Sequence, residues 1–134
     1  MFSVAKFESI TKNHLPIVHV DVDGQRYDFL IASGATISLI DSATCVKRKL
    51  DIEDNSQVEK IITLGGVFNK SEHVKLMNEN FYVHDIHKLV EEVKDYTGVQ
   101  VDGIIGYDIL EHNKSTIDFQ KEIISNLNKD NNAK

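Results

Sequence analysis

Phe29-Leu30-Ile31-Ala32-Ser33-Gly34-Ala35-Thr36-Ile37-Ser38-Leu39-Ile40-Asp41 is an apolar run interrupted in its middle by small residues. Ser33-Gly34-Ala35 carry little side chain, so the backbone there can turn sharply and lie close to another backbone or to a ligand. The pattern predicts a strand through Ile31, a tight turn, and an apolar strand, Ile37 to Ile40, re-entering the core. A second segment, Val101-Asp102-Gly103-Ile104-Ile105-Gly106-Tyr107-Asp108-Ile109-Leu110, predicts a short buried strand closed by Gly106 and then a short helix, Tyr107 to His112. Each segment alone reads as an ordinary turn or ordinary core packing. Together, in this order, they are far more specific.

Outward from these segments the chain reads mostly as strands. Ile17, Val18, Val20 and Val22 form a β-branched run, Asp23-Gly24 is a two-residue turn signal, and Tyr27 to Ile31 returns. Asp41-Ser42 is placed to cap a helix from Ala43 to Lys49. Val58 to Leu64 predicts a strand ending in Gly65-Gly66, with a return strand through Val74 and Leu76 and a further strand from Phe81 to Ile86. Leu89, Val90, Val93 and Tyr96 recur at helical spacing, and Gly98 ends the pattern. Thr116 to Ile124 predicts a final strand or hairpin. Short strands, glycine turns and small helices indicate a mostly-β barrel or sandwich.

The chain has 134 residues, the size of one domain, with 21 acidic and 15 basic residues and a net charge of −6. That excess of negative charge argues against nucleic-acid binding, which needs concentrated Lys and Arg. The single cysteine, Cys45, excludes an internal disulfide and reads as a small buried hydrophobe on its helix. Met1 to Lys12 hold no signal-like apolar run and no segment approaches the ~20 apolar residues of a spanning helix, so a cytoplasmic location with no membrane partner is expected. A single domain over residues 1–125 is expected, then a polar tail over residues 126–134.

The two segments resemble the retropepsin-like aspartic proteases, closest to the bacterial and phage members, over about Pro16 to Ser125. That family carries a hydrophobic pair, Asp-Thr/Ser-Gly-Ala and an apolar strand, then a flap hairpin, then two hydrophobics, Gly and a helix. The leading Asp23-Gly24 hairpin, a flap candidate at Gly65 and Gly66, and the closing Asp118-Phe119-Gln120-Lys121 turn fit as well. The resemblance implies a small closed β-barrel with one or two short helices, a homodimer, a polypeptide substrate and no cofactor. Gly34 and Ala35 would leave room for substrate, Gly65 and Gly66 would form the tip of a flap closing over it, and Ser33 would lock the two site loops across the dimer. Segments near Met1–Ile10 and Ile117–Leu127 would form the dimer's interface strands.

One position departs from the pattern: Ala32 stands where the family has its catalytic aspartate. In that family each protomer contributes one carboxylate, and the close pair shares a proton. One takes a proton from water as the water attacks the peptide carbonyl, and the other donates toward the carbonyl oxygen. A methyl group does neither, so the chain is expected to be inactive. Asp28, four residues back along a strand and on the order of 13 Å away, is a poor replacement; Asp41 is better explained as a helix cap. Loss of the carboxylate alone, with its neighbours intact, suggests a deliberate Asp-to-Ala substitution. The alternative is a natural pseudoprotease acting as a peptide-binding or assembly module. His84 and His87 are close in sequence but lack a third ligand, so they read as surface residues and no metal site is expected. Lys47-Arg48-Lys49 reads as a solvated helix end, and the Leu89–Tyr96 stripe as core packing.

Overall fold

The Asp23-Gly24 turn sets the first register. Both residues have positive φ, 52° and 80°, as a two-residue hairpin matched to strand twist requires. The computed structural model describes residues 4–6, 15–54, 60–63, 66–69 and 72–127. In chain order the elements are β1 (Val4–Lys6), β2 (Ile17–Val22), β3 (Gln25–Ile31), β4 (Leu39–Asp41), α1 (Ser42–Arg48), β5 (Glu53–Asp54), β6 (Lys60–Thr63) and β7 (Gly66–Asn69). There follow β8 (Glu72–Leu76), β9 (Glu79–His84), α2 (His87–Thr97), β10 (Gly103–Ile105), α3 (Tyr107–His112), β11 (Thr116–Asp118) and β12 (Ile123–Ser125).

The main sheet has the order β2-β3-β10-β4-β9-β8-β5. Inside it β10 runs parallel to β3 (Gly103↔Phe29, Ile105↔Ile31) and antiparallel to β4 (Gly103↔Ile40). The chain's two decisive segments are therefore hydrogen-bonded neighbours. A second sheet, β1-β12-β11, joins the first described strand to the last ones. The fold is mostly β, as expected. The barrel, however, is not closed among the described residues: β2 and β5 are the two ends of the main sheet, and β1, β11 and β12 pair apart from it. Closure is a long-range pairing that strand periodicity does not encode. Among the described residues there are three helices, where the resemblance implied one or two and the sequence pattern itself placed three.

Phe29, Ile40, Phe81 and Ile105 are fully buried, and Phe29 stacks on Phe81 at 4.8 Å between ring centroids. Side chains of this size each contribute roughly 1.5–3 kcal/mol on burial. A second cluster packs Val90 and Val93 of α2 on Ile17 and Val101. The helix ends at Gly98, whose φ of 84° and N–H bond to the Lys94 carbonyl close its last turn. Tyr96 is not part of the buried stripe: it is 52% exposed, and Thr97, one residue on, is fully buried with its hydroxyl on the Val93 carbonyl. A helix turns 3.6 residues per cycle, so Val93 is followed on its face by either neighbour, and the smaller side chain faces inward here.

Two other expectations are corrected. The Asp41 side chain makes no cap bond to α1; it is 5% exposed and accepts the Ile86 N–H at 3.2 Å. Nor is the end of α1 simply solvated. Arg48 donates to the Arg26 carbonyl at 2.7 Å, lies 4.1 Å from the Tyr27 ring centroid, and approaches Asp102 at 3.5 Å. Asp102 also accepts the Asp28 N–H at 2.9 Å and the Thr44 hydroxyl at 3.3 Å, tying β3 and α1 to the entrance of β10. Burial holds its carboxyl above the ordinary aspartate range despite those donors. Cys45 is 2% exposed, and burial pushes its thiol up to about 11. At the other end of the chain, Leu127 is 2% exposed within the main core, and the Asn126 carbonyl accepts the Ser115 hydroxyl. The remaining expected tail, residues 128–134, lies outside the described residues.

Asp85 and His87 supply a solution marker for the start of α2. Asp85 accepts the His87 N–H at 3.1 Å and meets its Nδ1 at 2.8 Å. That hydrogen bond and the carboxylate charge raise the His87 pKa above the ordinary 6.5. A raised histidine pKa adds stability that is complete below its unfolded value and lost as pH rises through the folded one. Because the pair is exposed, its effect on overall stability is small. A proton-resonance titration is expected to place His87 above a free histidine, and Asp85→Asn to lower it. An unchanged midpoint in the variant removes the assignment.

Candidate functional site

β3 ends at Ile31, and the next residue begins the small-residue turn. The Ala32 N–H donates to the Ile105 carbonyl at 2.9 Å, extending the β3–β10 pairing by one step. The Ala32 carbonyl accepts the Ala35 N–H at 2.9 Å, which closes the turn, and the Ala35 carbonyl accepts the Tyr107 N–H at 2.7 Å. Ala32 is half-buried, and Ser33 and Gly34 are exposed at the apex. Gly106 passes so close beneath that a Cβ there would lie 2.5 Å from the Ile37 carbonyl oxygen and 2.8 Å from that of Ala35. The structure thus brings Ala32 to Ala35 together with Ile105 and Gly106.

A buried polar clamp holds this arrangement. Ser38 is fully buried; its hydroxyl donates to Asp108 at 2.7 Å and accepts the Gly106 N–H at 2.8 Å. Asp108 also accepts the N–H groups of Ser38 (3.2 Å) and Ile109 (2.8 Å). Sequence reasoning missed this pair. The available signal was Ser38 itself, a hydroxyl within an apolar strand, which must find a partner if buried. Asp108→Ala is expected to cost about 2–3 kcal/mol, since it strands a buried hydroxyl and N–H. Urea unfolding measures this, and a loss near zero removes the clamp from the account.

The nearby carboxylates are committed elsewhere. Asp28 pairs with Arg26 at 3.1 Å, Asp41 with the Ile86 N–H, and Asp108 with Ser38. None of them stands in for a side-chain carboxyl at position 32. Beside the apex, a groove of about 310 Å³ is lined by Ser33, Tyr107, Leu110, Lys114 and Ile117, among others. Tyr107 is 57% exposed there. A larger hollow of about 360 Å³ lies between the tips of the β2–β3 and β8–β9 hairpins, away from these residues, and is lined by Asp21, Asp23, Lys75 and Asn78.

Of the expected flap, Gly66 opens β7, which pairs antiparallel with β6 from Thr63↔Gly66 to Lys60↔Asn69. Gly65 lies outside the described residues. Among the described residues no three His, Cys, Asp or Glu side chains converge as a metal site, and His84 is exposed beside the Asp85–His87 pair. Among the same residues no helix is long and apolar enough to cross a membrane.

Residues 18–109 match a family described as aspartyl protease. Among solved structures, the chain is similar to the retroviral protease-like domain of Ddi1 from Leishmania major. The two are 18% identical over 79% of this chain and 81% of that one, with a TM-score of 0.44. A comparison with curated proteins finds no match.

Proposed function

The chain belongs to the retropepsin-like aspartyl protease family, and from that premise we propose that it is an aspartic endopeptidase scaffold held inactive by Ala32. The working form is a homodimer in which two Ala32 loops face each other across a groove that takes an extended polypeptide. The observation that carries this reading is the site loop itself: Ala32 sits at the end of β3, its N–H on the Ile105 carbonyl, inside a fully formed clamp. A carboxyl at this position, doubled by symmetry, would make a proton-sharing pair able to activate water and protonate the carbonyl oxygen.

Dimerisation is supported by the surroundings of the apex. Ser33 is exposed next to a groove with Tyr107 on its wall, and the β1 and β11 edges of the second sheet are unpaired among the described residues. Uncovered edges invite strand pairing with a second copy. Substrate would add as a strand, with backbone hydrogen bonds for affinity and alternate side chains in pockets. The β6–β7 hairpin is the candidate flap. The intact clamp also suits a second reading, a pseudoprotease that grips peptides without cutting. Ala32→Asp decides between them: the aspartate protein, assayed on a broad peptide library at mildly acidic pH, cuts if the scaffold is a protease. A folded, dimeric aspartate protein that cuts nothing overturns the first reading.

A further inference from the structure

The hydrogen-bonding groups of the Ala32–Ala35 loop divide into those with partners and those without. The Ala32 and Ala35 carbonyls are both occupied, by the Ala35 and Tyr107 N–H groups, and the Ala32 N–H is held by Ile105. The two N–H groups between them are not used in this way: among the described residues neither Ser33 nor Gly34 has a backbone or side-chain acceptor for its N–H. Both residues are exposed, and no atom lies within 4 Å of the point a Gly34 Cβ would occupy. The clamp beneath, Ser38 to Asp108 at 2.7 Å, fixes the loop. The adjoining Ala32 side chain is only a methyl group, and the nearby carboxylates are tied to Arg26, Ile86 and Ser38.

We propose that this apex binds a carboxylate group supplied from outside the chain, by an acidic side chain of an extended peptide or by a small free carboxylate. The inference deepens the function proposed above and rests on it for the polypeptide. Successive N–H groups in a turn are a recurrent way of binding an anion. A carboxylate has two oxygens and can accept both N–H groups at once. The chain's net charge of −6 opposes all anions alike; two donors favour a forked acceptor over a simple spherical ion. Because the loop is already held in place, little ordering cost is added on binding.

The test follows the amide resonances of the isotope-labelled, unmodified protein during titration with sodium formate, with sodium chloride at equal ionic strength as the control. Ser33 and Gly34 are expected to shift saturably with formate and not with chloride. In Ala32→Asp the response is expected to vanish, because the new side chain takes the same donors. A glutamate-bearing peptide is expected to shift both resonances more than its glutamine counterpart. Response to formate but to neither peptide assigns the site to small carboxylates alone. No saturable shift in the unmodified protein, an equal shift with chloride (an adventitious ion only), or an undiminished response in Ala32→Asp overturns the proposal. If the aspartate protein cuts peptides while the unmodified protein ignores formate, this inference fails and the protease reading stands. If formate binds and the aspartate protein cuts nothing, the reverse holds.

Discussion

Ala32→Asp is expected to give this protein peptidase activity that the alanine protein lacks. General acid–base help by positioned side chains is worth roughly 10²–10⁴ in rate, and in the proposed homodimer a single substitution supplies both carboxyls. The scaffold needs no other change, because the Ala32 N–H, the turn closed by Ala35 and the Ser38–Asp108 clamp are already in place. Stability should change little, since position 32 is only half-buried and the Ser33 and Gly34 N–H groups beside it lack protein acceptors among the described residues. The pH profile carries the sign of the mechanism. Two close carboxyls titrate as a coupled pair, one apparent pKa lowered and the other raised. Activity requires one of the pair charged and one neutral, so it falls as pH drops through the lower value and as pH rises through the upper one. Activity per protomer should rise with protein concentration, because half a site does nothing. Ala32→Asn, similar in shape but unable to exchange the proton, should stay inert. Equal cutting by the asparagine and aspartate proteins would mean that the carboxyl is not the reacting group.

Much of the local backbone structure around this loop was legible in the sequence, and particular residues show why. Asp23-Gly24 and Gly98 announce themselves because backbone with positive φ selects few residue types. The helix Tyr107–His112 follows from Gly106 and its apolar spacing. The pairing of the Ala32 segment with the Ile104-Ile105 segment was not legible, since parallel β3–β10 contacts join residues remote in sequence. Polar side chains were harder. Asp41 looked like a local cap and instead reaches the Ile86 N–H; Arg48 looked solvated and instead packs over Tyr27. In both cases a distant tertiary partner outcompetes the local one, and single-sequence patterns carry only local information. Ser38 and Asp108 were overlooked for the same reason, although together they hold the loop on which the proposed chemistry depends.

Gly103→Ala tests that dependence from the opposite side, with the largest expected loss of stability. Gly103 is the crossing point of the main sheet, paired with Phe29 on one side and Ile40 on the other. A Cβ at this position would overlap the Leu39 carbonyl oxygen and lie 3.0 Å from the Ile40 Cα. Both obstacles are backbone, so no side-chain rotation relieves them, and β10 and β4 must separate. Overpacking a core commonly costs 1–3 kcal/mol; a backbone clash at the centre of a sheet belongs in the upper tail, at about 3–5 kcal/mol. A domain of this size has only about 5–15 kcal/mol in total, so the urea midpoint should fall far below that of the parent or be lost. Gly34→Ala is the matched control: its Cβ meets no atom within 4 Å and its φ is not positive, so its stability should stay within about 0.5 kcal/mol of the parent. The functional consequence follows from the same contact. The Ile105 carbonyl that holds the Ala32 N–H lies two residues beyond Gly103 on β10. Displacing β10 therefore removes the support of the site loop, and Gly103→Ala placed in the Ala32→Asp protein should abolish cutting even where folded protein remains. A doubly substituted protein with the parent's urea midpoint and full activity would show that β10 neither bears the close packing inferred here nor positions the loop.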